Sequence, residues 1–299
     1  MSKRIILSSY SDRIFDITNY ALLSIILLLY IYPMIFIISA SVSDPVAVWN
    51  GLVWLLPKNP SLDGYKMIFQ NENIWVGYKN TIIYTVVGTA LNLFMTITAA
   101  YPLSRKDFYG RNLIMGILTF TMFFGGGLIP TYLIVKNLGM IDKIWALVIP
   151  GAVSIWNIIV TKTYFQTNIS EELREAATID GCGNTKFLTH IVLPTSMPII
   201  AVMTLFYAVG NWNSYFSGLI YLSTRSKFPL QLFLREILIT SQVRFDILGF
   251  DPKDVAERAR VSDIIKYGVI IVSSLPVLIM YPFIQKHFVK GIMVGSLKG

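Results

Sequence analysis

Six stretches of this chain run without a charged side chain for about the 20 residues that a helix needs to cross the roughly 30 Å hydrocarbon core of a bilayer. They are 17–43, 80–104, 112–135, 144–161, 191–224 and 267–285. Charge bounds them: Lys79 and Arg105, Lys143 and Lys162, Lys266 and Lys286. Lipid offers peptide groups no hydrogen-bonding partner, so each run is predicted to be helical. The fourth and sixth are near the minimum length. The fifth is too long for one crossing, so part of it is expected at an interface. Pro33, Pro130, Pro150, Pro198 and Pro276 interrupt runs and predict kinks or broken helices, which in transporters often line a cavity. Gly125, Gly126 and Gly127 loosen the third run by about 1 kcal/mol each relative to alanine. They fit a hinge or a close-packing site equally well.

Composition agrees with a membrane protein. Hydrophobic residues make up 54% of the 299, charged residues only 14%, and the mean hydropathy is +0.60. A soluble chain carries roughly a quarter charged residues, and so much apolar material excludes disorder. The formal charge of +8 fits basic loops facing anionic lipid. No basic run interleaved with aromatics points to nucleic acid. The single cysteine, Cys182, excludes an intramolecular disulfide and a multi-thiolate zinc site.

The first run follows Lys3, Arg4 and Arg13 as a signal peptide would. Its apolar stretch is too long for that and no cleavage pattern follows, so it is read as a retained span. Six spans place both termini on one side. With the termini inside, inner segments hold 12 basic residues and outer ones 13, of which eight lie in the 42-residue loop 225–266. Setting that acid-rich loop aside favours cytoplasmic termini, though leaving it out is a choice. Within it, Asp251 before Pro252, with Asp254, Glu257 and Arg258 at helical spacing, predicts a surface helix over 252–263. The expected division is a cytoplasmic N-terminus 1–16, a six-span region 17–285 with a polar loop 162–190 and an extracellular loop 225–266, and a cytoplasmic tail 286–299.

The polar stretch 168–181 between the fourth and fifth runs has the clearest local design. Ser170 is an N-cap, and Glu171 and Glu172 occupy the first turn, where the helix dipole favours carboxylates. Leu173, Ala176 and Ala177 share one small-residue face. Gly181 and Gly183 end the helix, Asn184 is placed to cap a second short turn, and Pro194 to open the next span. The product is a bent helical hairpin whose smooth face another protein's backbone can approach.

Glu175, Ala176, Ala177, Gly181, Ile191, Leu193 and Pro194 reproduce the spacing of the EAA motif, and the chain resembles permease subunits of bacterial ATP-binding cassette importers. Further blocks extend the likeness: Phe124 to the glycines, Pro130 and Tyr132; Asn211, Trp212 and Asn213; Pro229 and Gln231; Tyr281 to Gln285; and the ending Gly295 to Gly299. They are similar to the smaller permease of maltose-type carbohydrate importers, nearest the subgroup for complex or acidic oligosaccharides. The resemblance implies an all-α polytopic fold with six transmembrane helices, the type I importer permease fold, in a bacterial cytoplasmic membrane. It implies a second, different permease, two copies of an ATPase subunit and an extracellular solute-binding lipoprotein as partners. ATP and magnesium are then bound by the ATPase and no cofactor by this chain. Glu175, Ala176, Ala177, Asp180 and Gly181 become the ATPase-coupling residues, and the tail can reach between the ATPase subunits.

Catalytic chemistry of its own finds no residues here. The stretch 181–186 lacks the order of a phosphate-binding loop and follows a helix rather than a strand. His190 and His287 each flank a span and are far apart, no nucleophile motif occurs, and no acid pair lies inside a run. Uncharged spans suit a neutral or weakly polar cargo. Sugars want aromatic faces and amides, which makes Trp156, Asn157, Asn211, Trp212, Asn213 and Tyr215 candidates for the substrate path. The same residue types also form interfacial belts and interhelix contacts. A permease for a non-sugar solute is the alternative within the family, and a stand-alone channel or membrane enzyme the alternative outside it.

Overall fold

The computed structural model describes residues 10–243 and 265–282, which form helices and connecting turns with no strand among them. In chain order the helices are α1 (Tyr10–Ser41), α2 (Pro45–Trp49), α3 (Asp63–Gln70), α4 (Glu72–Ser104), α5 (Arg111–Phe123), α6 (Leu128–Asn137), α7 (Ile144–Val148), α8 (Ile155–Asn168), α9 (Glu171–Ile179), α10 (Asn184–Phe187), α11 (Leu193–Thr195), α12 (Met197–Trp212), α13 (Tyr215–Tyr221), α14 (Leu230–Val243) and α15 (Ile265–Pro282). A π-helical turn, Leu188–Val192, joins α10 to α11. The predicted surface helix over 252–263, His287 and the tail 286–299 lie outside the described residues.

Three of the six apolar runs are single helices long and apolar enough to cross a membrane: α1, α4 and α15. The third and fifth runs pass the same test only as bent pairs, α5 with α6 at 110° and 184–195 with α12 at 82°. The fourth is divided between the five-residue α7 and the 14-residue α8.

A glycine triplet makes the first of these breaks, and proline lies in or beside the other two. Gly127 caps α6 at φ +82°, a left-handed conformation. Among the described residues nothing lies within 4 Å of a Cβ added at Gly125 or Gly127, and the helix breaks at this triplet. Pro130 is in the first turn of α6, where its missing N–H is harmless. Pro150 does sit in the gap before α8, which restarts at Ser154, whose Oγ accepts from the Asn157 amide at 3.4 Å. Pro198 follows the bend at Ser196, in the first turn of α12. Pro33 and Pro276 lie inside α1 and α15 without dividing them.

The described residues fall into two units, one from Met1–Gln70 and Ile237–Ser273, the other from Asn71–Glu236 and Ser274–Gly299. In the first, α1 is exposed as far as Ile35, half-buried at Phe36 and Ile37, and buried at Ser39, Ala40 and Ser41. Ser39 Oγ donates to the Leu55 carbonyl at 2.6 Å and Tyr65 donates to Ser41 Oγ at 2.9 Å. Tyr267 meets Phe36 edge to face at 5.7 Å.

The second unit is organised by α4. Thr81, Thr85, Gly88, Thr89, Asn92 and Thr96 recur at three- and four-residue spacing and are all buried on one face. Asn211 of α12 packs against Gly88 and donates to Asn92 Oδ1 at 3.0 Å and to Thr89 Oγ1 at 3.3 Å. Tyr207 shares a 2.6 Å bond with Thr96. Below this polar seam lies an apolar core that includes Tyr101 and Leu103 of α4, Phe165 of α8, Ala177, Phe187 and Met203. Gly77 gives α14 its closest approach: a Cβ there would stand 2.9 Å from Leu230 Cα and from Phe233 Cδ2. Because the Leu230 backbone cannot retreat, Gly77→Ala is expected to destabilise the chain by about 1–3 kcal/mol. Gly116→Ala, with nothing within 4 Å, is expected to leave stability unchanged or raise it. Thermal unfolding in detergent separates the two, and equal midpoints would refute the packing described.

Candidate functional site

The stretch with the EAA spacing forms the hairpin expected of it, with one change of cap. Ser170 caps α9, its Oγ accepting from the Leu173 amide at 3.3 Å, with Glu171 and Glu172 in the first turn. Asp180 ends the helix, and Gly181 at φ +72° reverses the chain in the left-handed conformation that Cβ-bearing residues avoid. Gly183, not Asn184, then sits at the cap of α10. Asn184 is the first helical residue, and its side chain is used elsewhere. Pro194 lies in α11, before the bend, so the next long helix opens at Met197 instead. Ala177 is buried, while Leu173, Glu175, Ala176, Asp180 and Gly181 are exposed and Ile179 is 87% exposed. The hairpin thus presents an apolar and acidic outer surface while Ala177 and Phe187 seat it in the core.

Charge ties the hairpin to the end of α4. Arg105 follows that helix directly, and its guanidinium donates to Asp107 and to the Asn184 side chain, and to Tyr101 at 3.4 Å. Arg174 of α9 pairs with Glu171 and reaches Asp107 at 3.7 Å. Hydrogen bonding to Arg105 pulls the Asp107 carboxyl down to about 2 and raises the Arg105 guanidinium above its usual value. Tyr101, Arg105, Glu171 and Arg174 border a cavity of about 190 Å³ that Lys106, Arg111 and Phe165 also line.

A second polar knot lies between the turn after α6 and the turn after α13. Asp142, at φ +59°, accepts from the Ser223 and Thr224 amides at 3.0 Å, from the Thr224 hydroxyl at 2.7 Å and from Lys227 Nζ at 2.6 Å. Lys227 also donates to the Asp142 carbonyl at 2.7 Å. The Lys227 bond, then those from Thr224, hold the Asp142 carboxyl well below the usual carboxylate range. From α4, Asn80 donates to the Ser226 and Phe228 carbonyls and Tyr84 to the Lys227 carbonyl at 2.8 Å.

The amide and aromatic candidates separate into two groups. Asn211 and Trp212 face inward: Asn211 is spent on the α4 seam and Trp212 is 5% exposed, its ring 6.1 Å from that of Tyr78. Asn157 is buried on α8 while its neighbour Trp156 is 60% exposed. Asn213 and Tyr215 are exposed, just after α12 ends. Asn213 donates to the Val209 carbonyl at 2.9 Å, and its Oδ1 accepts from Gln231 at 3.4 Å. The Arg235 guanidinium lies over the Tyr215 ring at 5.9 Å.

Reading along the chain missed Arg105, Asp107, Asp142, Lys227 and Arg235. The first two were legible only as a charged break between runs, and nothing local marks Asn184, 79 residues away, as the partner of Arg105. Asp142 before Lys143 resembles any loop, and its left-handed backbone leaves no mark beyond the tolerance of Asp for that conformation.

Residues 92–294 match the family described as binding-protein-dependent transport system inner membrane component. The chain is 42% identical over 292 residues to the polygalacturonan/rhamnogalacturonan transport system permease protein YtcP of Bacillus subtilis (strain 168), covering 96% of this chain and 99% of that one. It is 40% identical over 289 residues to protein LplC of the same organism, covering 97% and 96%. Its fold matches, with TM-score 0.83 and 34% identity, a chain in the crystal structure of a bacterial ABC transporter involved in the import of the acidic polysaccharide alginate, over 94% of this chain and 98% of that one.

A carboxyl titrating lower in the folded chain than in the unfolded one stabilises the fold at pH above the unfolded value, near 3.9 for Asp, and loses that effect only as pH falls below it. Asp142→Asn is therefore expected to lower the unfolding temperature by the same amount everywhere between about pH 5 and pH 8. A gap that closes as pH drops from 8 to 6, in thermal scans of the two proteins, would contradict the bonding of Asp142.

Proposed function

The chain belongs to the family of binding-protein-dependent transport system inner membrane components, and on that premise we propose that it is the smaller permease of an ATP-driven carbohydrate importer in a bacterial cytoplasmic membrane. The observation that carries the carbohydrate reading is the agreement between two relatives of nearly full length. One is a permease named for polygalacturonan and rhamnogalacturonan, and the other belongs to an importer of alginate. A peptide or other non-sugar cargo has no such support.

In this reading a second permease lies beside this one, two ATPase subunits bind ATP and magnesium, and an extracellular binding protein delivers the sugar. This chain binds no cofactor and catalyses nothing. Both termini and the hairpin 162–190 face the cytosol, where the exposed Glu175, Ala176, Asp180 and Gly181, with Ala177 beneath them, seat α9 in a cleft of the ATPase. Closure of the ATPase pair moves α9, and α9 moves the spans. Alternating access needs a stiff lever at this point. The Ser170 cap and the bonds of Arg105 and Arg174 supply the stiffness.

Two measurements test the coupling role. In proteoliposomes holding the whole complex, Gly181→Asp and Glu175→Lys are expected to lower uptake and sugar-stimulated ATP hydrolysis about tenfold or more. Undiminished values would end the proposal. The native Cys182 tests orientation directly: a membrane-impermeant thiol reagent is expected to label it from the cytosolic face only, and less once the ATPase is assembled. Labelling from the outside would reverse the topology.

A further inference from the structure

Arg235 has no carboxylate among the described residues within ion-pair distance, whereas Arg225, on the turn just before the same helix, is paired with Glu236 at 2.8 Å. It is exposed, one helical turn beyond Gln231 on α14. Its guanidinium stands 5.9 Å from the centre of the Tyr215 ring. Phe216 holds that ring from a second side, at 6.3 Å and 77°. Gln231 in turn reaches Asn213 at 3.4 Å. Four side chains from the α12–α13 junction and from one face of α14 thus form a single accessible patch: an aromatic ring, two amides and a guanidinium with no carboxylate partner among the described residues.

Each part has a complement in one class of molecule. An aromatic ring takes the apolar face of a pyranose, amides take hydroxyls, and a guanidinium takes a carboxylate through two parallel bonds. A neutral sugar leaves Arg235 unused, and a simple organic acid leaves the ring and amides unused. Resting on the importer reading above, we propose that Arg235, Tyr215, Asn213 and Gln231 form a subsite for a uronic-acid residue of an oligosaccharide in transit. Arg235 reads the carboxylate, and Tyr215 carries the sugar ring. Arg235 lies outside the six uncharged runs, so it attracts an acidic cargo without placing a cation in a span. The amides hold the sugar by ordinary hydrogen bonds that are readily exchanged, as a path that must release its cargo requires.

The test uses the assembled complex of this chain with its partner permease, ATPase subunits and binding protein, with trigalacturonate and its methyl ester as probes. Uptake is measured with the binding protein saturated, and the acid-to-ester preference in binding is measured on the complex without binding protein. Arg235→Gln is expected to reduce the preference for the acid about tenfold, the scale of a lost charged hydrogen-bonding partner. Arg235→Lys is expected to keep part of it, and Tyr215→Leu to weaken acid and ester alike. A merely structural role for Arg235 lowers both probes equally and overturns the proposal. So does an Arg235→Gln complex that sheds its partner permease, which would make Arg235 an interface residue. Should the wild-type complex import a neutral saccharide but neither bind nor import the galacturonate, the subsite falls while the carbohydrate reading stands. Should it import no saccharide with ATP and binding protein present, that reading falls as well.

Discussion

Backbone polar groups in a membrane-spanning chain must find partners within the protein, and three of the six apolar runs here are broken. The second unit meets that demand through one intact helix. Side chains of α4 serve the irregular backbone around it: Asn92 donates to the Gly151 carbonyl at 2.7 Å in the gap before α8, and Thr81 accepts from the Leu230 amide at 2.8 Å where α14 starts. Asn80 and Tyr84 serve the carbonyls of 226–228. Serine, threonine and asparagine are otherwise indifferent helix formers. Their density along α4 follows from this duty, and it lets the neighbouring segments bend without stranding their peptide groups.

The same helix links two charged knots. Tyr84 meets the Asp142 and Lys227 knot and Arg105 begins the other, a separation of 21 residues or about 31 Å at helical rise, close to the thickness of a bilayer core. Between the knots, contact with α12 runs through Thr89, Asn92 and Thr96. Hydrogen bonds of this kind favour particular registers, unlike apolar packing, which is non-directional. In the proposed coupling, a push on the hairpin would reach α4 through Arg105 and α12 through Leu193–Thr195, two separate points of attachment.

Much of this was legible in the order of residues. The six uncharged runs correspond to helices or helix pairs, and Ser170, Gly181 and the EAA spacing gave the hairpin its shape and its family. These features are local, since a cap or a glycine acts within one turn. What escaped reading was pairwise and distant. Proline was weighted over glycine as the source of breaks, yet proline in a first turn, as at Pro130, costs a helix nothing, while three unbranched glycines remove its stiffness. Asn211 read equally well as sugar ligand or as helix glue. Only the approach of Asn211 to Gly88, Thr89 and Asn92 on α4 shows where its amide is spent. That Arg235 has no carboxylate partner among the described residues is likewise invisible until Glu236 is seen to pair with Arg225.

Exposure in the second unit bears on how many chains the path needs. No residue of α5 is buried, and Phe120, Phe123 and Phe124 are exposed. Lipid covers such apolar surface without penalty. It cannot do the same for Asn213, Gln231 and Arg235, whose polar groups would lose water and gain nothing in hydrocarbon. That patch has to face water or protein, and among the described residues no element of the second unit closes over it. In the proposed importer this patch is then one wall of a polar passage. On that proposal the opposite wall falls to the second permease, because among the described residues of the second unit Asn213, Tyr215 and Arg235 stay exposed.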